Sequence, residues 1–96
     1  MEPKVSDLVC SVAGHDKGML FYVLDTDGVY VFLANGKQRK VEQPKRKKSK
    51  HVRVIPRQET RLTEKLLSGK PILNSELRRE LAAISQTINV STKEGS

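Results

Sequence analysis

Gly14 and Gly18 bracket the polar triplet His15, Asp16 and Lys17, and that pattern suits one kind of chemistry. Glycine lets a chain turn sharply and approach a ligand closely. A lysine on such a turn projects towards a phosphate, and exposed backbone N–H groups can join it. Many hairpins use the same glycines and bind nothing. A second group of candidates lies further on. Residues 37–57 carry ten basic side chains, Lys37, Arg39, Lys40, Lys45, Arg46, Lys47, Lys48, Lys50, Arg53 and Arg57, against the single acid Glu42. The rest of the chain holds eight basic and ten acidic residues, so it is close to neutral. Each segregated cation can neutralise a phosphate and release counterions, giving salt-dependent affinity without sequence preference. Two other readings stay open for the run Lys45-Arg46-Lys47-Lys48-Ser49-Lys50: a solvated loop, and a nuclear-localisation signal. Its charges look too crowded for a buried element.

Other chemistry is harder to assemble. Cys10 is the only cysteine, which excludes an internal disulfide and a cysteine-rich zinc cluster. Its alternating surroundings suit a small buried hydrophobe. His15 and His51 lack metal-ligand spacing with any other candidate. Asp25 and Asp27 pair as carboxylates on paper, but Asp25-Thr26-Asp27-Gly28 reads as a turn. No nucleophile is arranged with a base and no phosphate-cradling P-loop is present, so neither catalysis nor a cofactor or metal is expected. No stretch has transmembrane length and the N-terminus lacks a signal-peptide pattern. The expectation is a cytoplasmic protein, with no membrane role and an undetermined oligomeric state.

The elements that would position these residues are short. With 96 residues, 36% hydrophobic and 4% aromatic, the chain has room for one thin core rich in Val and Leu. Residues 8–13, 19–24 and 29–34 read as strands, separated by the Gly14–Gly18 turn and by Asp27-Gly28. Asn35-Gly36 is a strong hairpin signal of type I′, leading to a polar fourth strand over 37–41 that ends before Pro44. Residues 51–55 alternate again and offer a fifth strand. Five short strands with tight turns suggest a small barrel. From Gln58 the period changes. Leu62, Leu66 and Leu67 share a helical face that stops at Gly69, and Asn74 is a natural N-cap for a second helix carrying Leu77, Leu81, Ile84 and Ile88. This amphipathic stripe reads as core, with a partner-binding groove as the other reading.

The segment Val9-Cys10-Ser11-Val12-Ala13-Gly14-His15-Asp16-Lys17-Gly18, followed by Leu20 and Val23, resembles the KOW motif of large-subunit ribosomal proteins and transcription elongation factors. With the Asn35-Gly36 turn and the basic stretch up to Arg53, the first fifty-five residues or so resemble bacterial KOW-domain RNA-binding proteins. Gly14, Asp16, Lys17 and Gly18 match the motif's turn, whereas Phe21 stands where many KOW motifs have another glycine. The resemblance implies an SH3-like five-stranded barrel of KOW type that contacts structured ribosomal RNA without catalysis.

The fold class expected is therefore mainly β with α: a barrel over residues 1–56, a C-terminal helical hairpin over 57–88 and a flexible tail over 89–96. The expected RNA-binding residues are Gly14, Lys17, Gly18, Arg39, Lys40, Lys45, Arg46, Lys47, Lys48, Lys50, Arg53 and Arg57. The four aromatics, Phe21, Tyr22, Tyr30 and Phe32, are expected mostly in the core, leaving recognition to RNA backbone and shape. RNA is the expected partner, and ribosomal RNA above all. Ribosomal or other proteins docking on the helices are the alternative.

Overall fold

Short runs rich in apolar and β-branched residues build four of the five strands, a basic run builds the other, and longer stripes of leucine build the helices. The elements are β1 (Leu8–Ser11), β2 (Leu20–Thr26), β3 (Tyr30–Ala34), β4 (Lys45–Lys48), β5 (Val52–Ile55), α1 (Arg61–Leu67) and α2 (Asn74–Gly95). The computed structural model describes the backbone of residues 2–95 and the side chains as far as residue 84. The five strands form one antiparallel sheet in the order β4-β3-β2-β1-β5.

That order has a geometric consequence. β4 and β5 lie at opposite edges, yet a single 3-10 turn, Ser49–His51, joins them. In a flat sheet the two edges would stand about 19 Å apart, four strand spacings. The four peptide units from Lys48 to Val52 span at most about 15 Å. The sheet therefore curls, bringing its edges towards each other at this corner.

Curling gives the sheet an inner and an outer apolar face. Val9, Phe21, Val23, Val31 and Leu33 pack together on the inner face, with Met19, Val52 and Val54 beside them. On the outer face Leu8, Tyr22 and Ala34 form a second cluster with Leu62 and Leu66 of α1 and Leu77 and Leu81 of α2. Both helices thus lie on the sheet, and the change of composition at Pro56 is a change of element within shared packing.

Local chemistry explains the helix ends. The Thr60 hydroxyl accepts from the Thr63 N–H while the Thr63 hydroxyl accepts from the Thr60 N–H, a reciprocal cap on α1. At the other end Gly69 takes φ +70° and donates to Leu66 O, while Lys70 N–H reaches Lys65 O, a Schellman closure.

Four expectations need correction. The polar strand expected over 37–41 is a loop. The Asn35 carboxamide oxygen accepts from the N–H groups of Lys37 and Arg39, and Val41 N–H goes to the Asn74 side chain, so side chains take donors a ladder would need. Gly36 has positive φ but Asn35 does not, which excludes a type I′ hairpin there. The fourth strand is instead the basic run, Lys45–Lys48, paired along β3. Asn74 is not the N-cap of α2. Leu77 N–H bonds to Leu73 O and the Glu76 carboxylate accepts from Leu73 N–H, which puts the cap at Leu73 and leaves the Asn74 side chain to tie down the 37–43 loop. The α2 backbone is helical to Gly95, across the stretch expected as a tail. The Ile88 side chain and Ser96 lie outside the described residues.

Candidate nucleic-acid interface

The glycine-bracketed turn is held from within. Asp16 is 7% exposed, and its Oδ1 accepts 2.7 Å bonds from the Ser11 hydroxyl and from Lys47 Nζ. Lys47 also donates to Ala13 O at 2.7 Å. Lys45 Nζ stands 2.9 Å from Asp16 Oδ2, an ion pair without an aligned hydrogen bond. Burial alone would raise the pKa of this carboxyl, but the bonds from Lys47 and Ser11, the nearby Lys45 ammonium and the charge of Lys47 outweigh it. Asp16 is therefore held well below the usual carboxylate range. The arrangement follows from strand alternation: Lys45 and Lys47 pair with Leu33 and Val31, whose side chains line the inner face.

The turn's backbone is also largely committed. Gly14 and Gly18 adopt φ +83° and +91°, conformations that side-chain-bearing residues rarely take. Lys17 N–H bonds to Gly14 O and Gly18 N–H to Ser11 O, so neither is left for a phosphate. The Lys17 side chain is exposed. Phe21, at the position where the motif often has glycine, is fully buried in β2.

The expected site residues divide into three groups. Lys45, Lys47 and Arg57 are engaged in ion pairs within the protein, and of the three only Lys47 is buried. Arg57 donates to the Tyr22 hydroxyl at 3.0 Å and lies 3.5 Å from Glu80, whose Oε1 also accepts from Tyr22 and Thr60. Burial and the Glu80 charge push the Tyr22 phenol far above its ordinary value, so it stays a neutral donor.

Arg46, Lys48, Lys50 and Arg53 form the second group, all exposed, running along β4 and around the Ser49–His51 corner into β5. The Gly14–Gly18 turn sits against the same corner, because Val12 N–H donates to His51 O at 2.9 Å. This brings the Lys17 turn beside the exposed cations.

Arg39 and Lys40 make the third group. They are exposed in the 35–44 loop, at the opposite end of β3 and β4, about 16 Å or more from the corner. With Lys37, Gln38, Glu42 and Gln43 they line a surface concavity of ≈ 480 Å³. The loop is pinned to α2. Arg78 donates to Gly36 O at 2.6 Å, and a Cβ on Gly36 would collide with the Asn74 carbonyl.

Two residues with a bearing on recognition escape the sequence reading. Phe21 and Tyr22 are core, as expected, but Tyr30 and Phe32 are half-buried on the outer face of β3. Their register partners on β4 are Lys48 and Arg46, and the Arg46 guanidinium lies 4.4 Å from the Tyr30 ring centre. Alternation within β3, where Val31 and Leu33 point inward, is the signal that separates these two rings from the core.

Asp27 Oδ1 accepts from the N–H groups of Val29 and Tyr30, and Asp25 Oδ1 from Thr26 N–H, so both carboxylates serve the turn. Among the described residues no cluster of three or more His, Cys, Asp or Glu side chains has the arrangement of a metal site. Nor is any helix among them long and apolar enough to cross a membrane. No protein-family model matches this chain, and no curated protein matches it.

Proposed function

We propose that this chain is a non-catalytic, cytoplasmic RNA-binding protein whose curled sheet is an SH3-like barrel of KOW type, and that it binds structured RNA, with ribosomal RNA or a ribosomal particle as the target. The observation that carries the reading is the sorting of the basic segment. Three of its cations satisfy internal carboxylates or hydroxyls, whereas Arg46, Lys48, Lys50 and Arg53 face solvent around one corner beside the Lys17 turn. Charge collected on one exposed edge suits a polyanion. A basic edge strand also discourages pairing with other sheets, a structural benefit that accounts for lysines on β4 but not for the cations beyond it.

Binding through these five side chains releases counterions, so log K against log salt should fall with a slope of about −4. The test is a salt series with structured RNA, matched duplex DNA and a nucleic-acid-free control. Preference for structured RNA supports the proposal. Equal binding to both duplexes reduces it to a polyanion binder, and no binding at moderate salt removes it.

The alternative, a protein partner docked on the leucine stripe of α2, has less support. Leu77 is 0% and Leu81 7% exposed, and both hold the helix to the sheet. A partner could reach them only by undocking α2.

A further inference from the structure

Within that RNA reading, we infer that the outer face of the β3–β4 pair takes unpaired bases, stacked on the Arg46 guanidinium and the Phe32 ring. The argument starts from four side chains on one face. Tyr30 and Phe32 stand two residues apart on β3, opposite Lys48 and Arg46 on β4. Such alternation puts them side by side, with neighbours across the strands about 5 Å apart at Cβ.

Arg46 is the centre of the arrangement. Its guanidinium lies over the Tyr30 ring, 4.4 Å from the ring centre, and the residue is exposed. Among the described residues no carboxylate pairs with it. An exposed planar cation beside an aromatic ring can stack on a nucleobase while attracting the adjoining phosphate.

Phe32 completes the platform. It is half-buried and belongs to neither apolar cluster, so its ring is not consumed by the core that surrounds Val31 and Leu33. Polarity is set by the flanks. Asp25, the register partner of Phe32 on β2, puts a negative charge on one side, while Lys48 and Lys50 continue the positive charge on the other. The RNA backbone therefore runs along β4 towards the corner, with bases turned in over β3. Unpaired nucleotides in loops and bulges fit this geometry, because a paired base offers no free face.

The experiment compares a ten-nucleotide oligouridylate with an abasic oligomer of equal length and charge, alongside a structured RNA. Stacking predicts that the base-bearing oligomer binds about 5-fold tighter or more. Phe32→Leu should reduce that preference and leave affinity for the abasic oligomer unchanged, and Arg46→Lys, which keeps the charge but loses the plane, should weaken the base-bearing oligomer by a larger factor than the abasic one. Upfield shifts of the Phe32 ring protons on adding oligouridylate read the same contact in the unaltered protein. Equal affinity for the two oligomers overturns the stacking site while RNA binding stands. So does binding of the structured RNA with neither oligomer bound. Failure to bind any of the three removes the RNA reading itself, and the stacking site with it.

Discussion

Lys47 Nζ lies 2.7 Å from Asp16 Oδ1, and both side chains are 9% exposed, so the middle of the most basic strand carries its charge inward. The lysine that touches the glycine-bracketed turn is thus a strut from β4, and the lysine within the turn, Lys17, points away. A buried pair of this kind costs desolvation on both sides, and its net worth over an apolar pair is small. Breaking it is another matter.

Lys47→Met should destabilise the fold by about 3 kcal/mol, because Asp16 is left buried with less compensation. Adding Asp16→Asn should restore part of the loss, so the double variant costs less than the two singles summed. Urea unfolding of the four proteins measures the coupling. Additive losses would show that the pair is not an energetic unit.

Stability should also depend on pH through Asp16. Its folded pKa is depressed below the ordinary 3.8, so the unfolded chain takes up a proton first as pH falls. The stabilisation is complete above that ordinary value and is lost progressively as pH drops through it towards the lower folded value. Melting temperatures from pH 7 down to 2 should therefore fall below about pH 4. The decline should be shallower for Asp16→Asn than for the unaltered protein.

Gly36 and Gly28 both have positive φ, +78° and +95°, but differ in surroundings. At Gly28 no heavy atom lies within 4 Å of an added Cβ, whereas at Gly36 the Asn74 carbonyl carbon and Leu77 Cβ each lie at 3.1 Å. Gly28→Ala should cost about 1 kcal/mol of backbone strain alone. Gly36→Ala should cost about 2 kcal/mol or more and loosen the 35–44 loop from α2. Thermal melts and amide exchange at Lys37 and Val41 would separate the two. Equal losses would mean that the loop contact carries no weight.

For binding, Lys48→Gln combined with Lys50→Gln should lower the salt slope by about 2 without affecting the melting temperature. Arg57→Gln should leave the slope unchanged and lower stability instead, since it removes the partner of Glu80 and Tyr22. Reversal of these two outcomes would exchange the assignments of free and ion-paired cations.

Much of the architecture is a local property of the chain. The alternation around Val9, Phe21 and Val31 and the turns at Gly14–Gly18 and Gly28 define β1 to β3, and the Leu62–Leu66 spacing with Gly69 defines α1 and its end. These signals rest on neighbours within a few residues, where backbone conformation is decided. The segregated charge was equally plain.

What the tertiary structure decided is how that charge is divided. In β4 every residue is basic, so the period-2 pattern that marks a strand has no contrast to display. Its inward lysines are recognisable only beside Asp16, which lies 31 residues from Lys47. In the same way the Asn35-Gly36 turn gave way to a loop because Asn74 and Arg78, far along the chain, supply its hydrogen bonds. A cation's role depends on which carboxylate the fold delivers to it. That is settled by long-range packing, and residue type alone does not encode it.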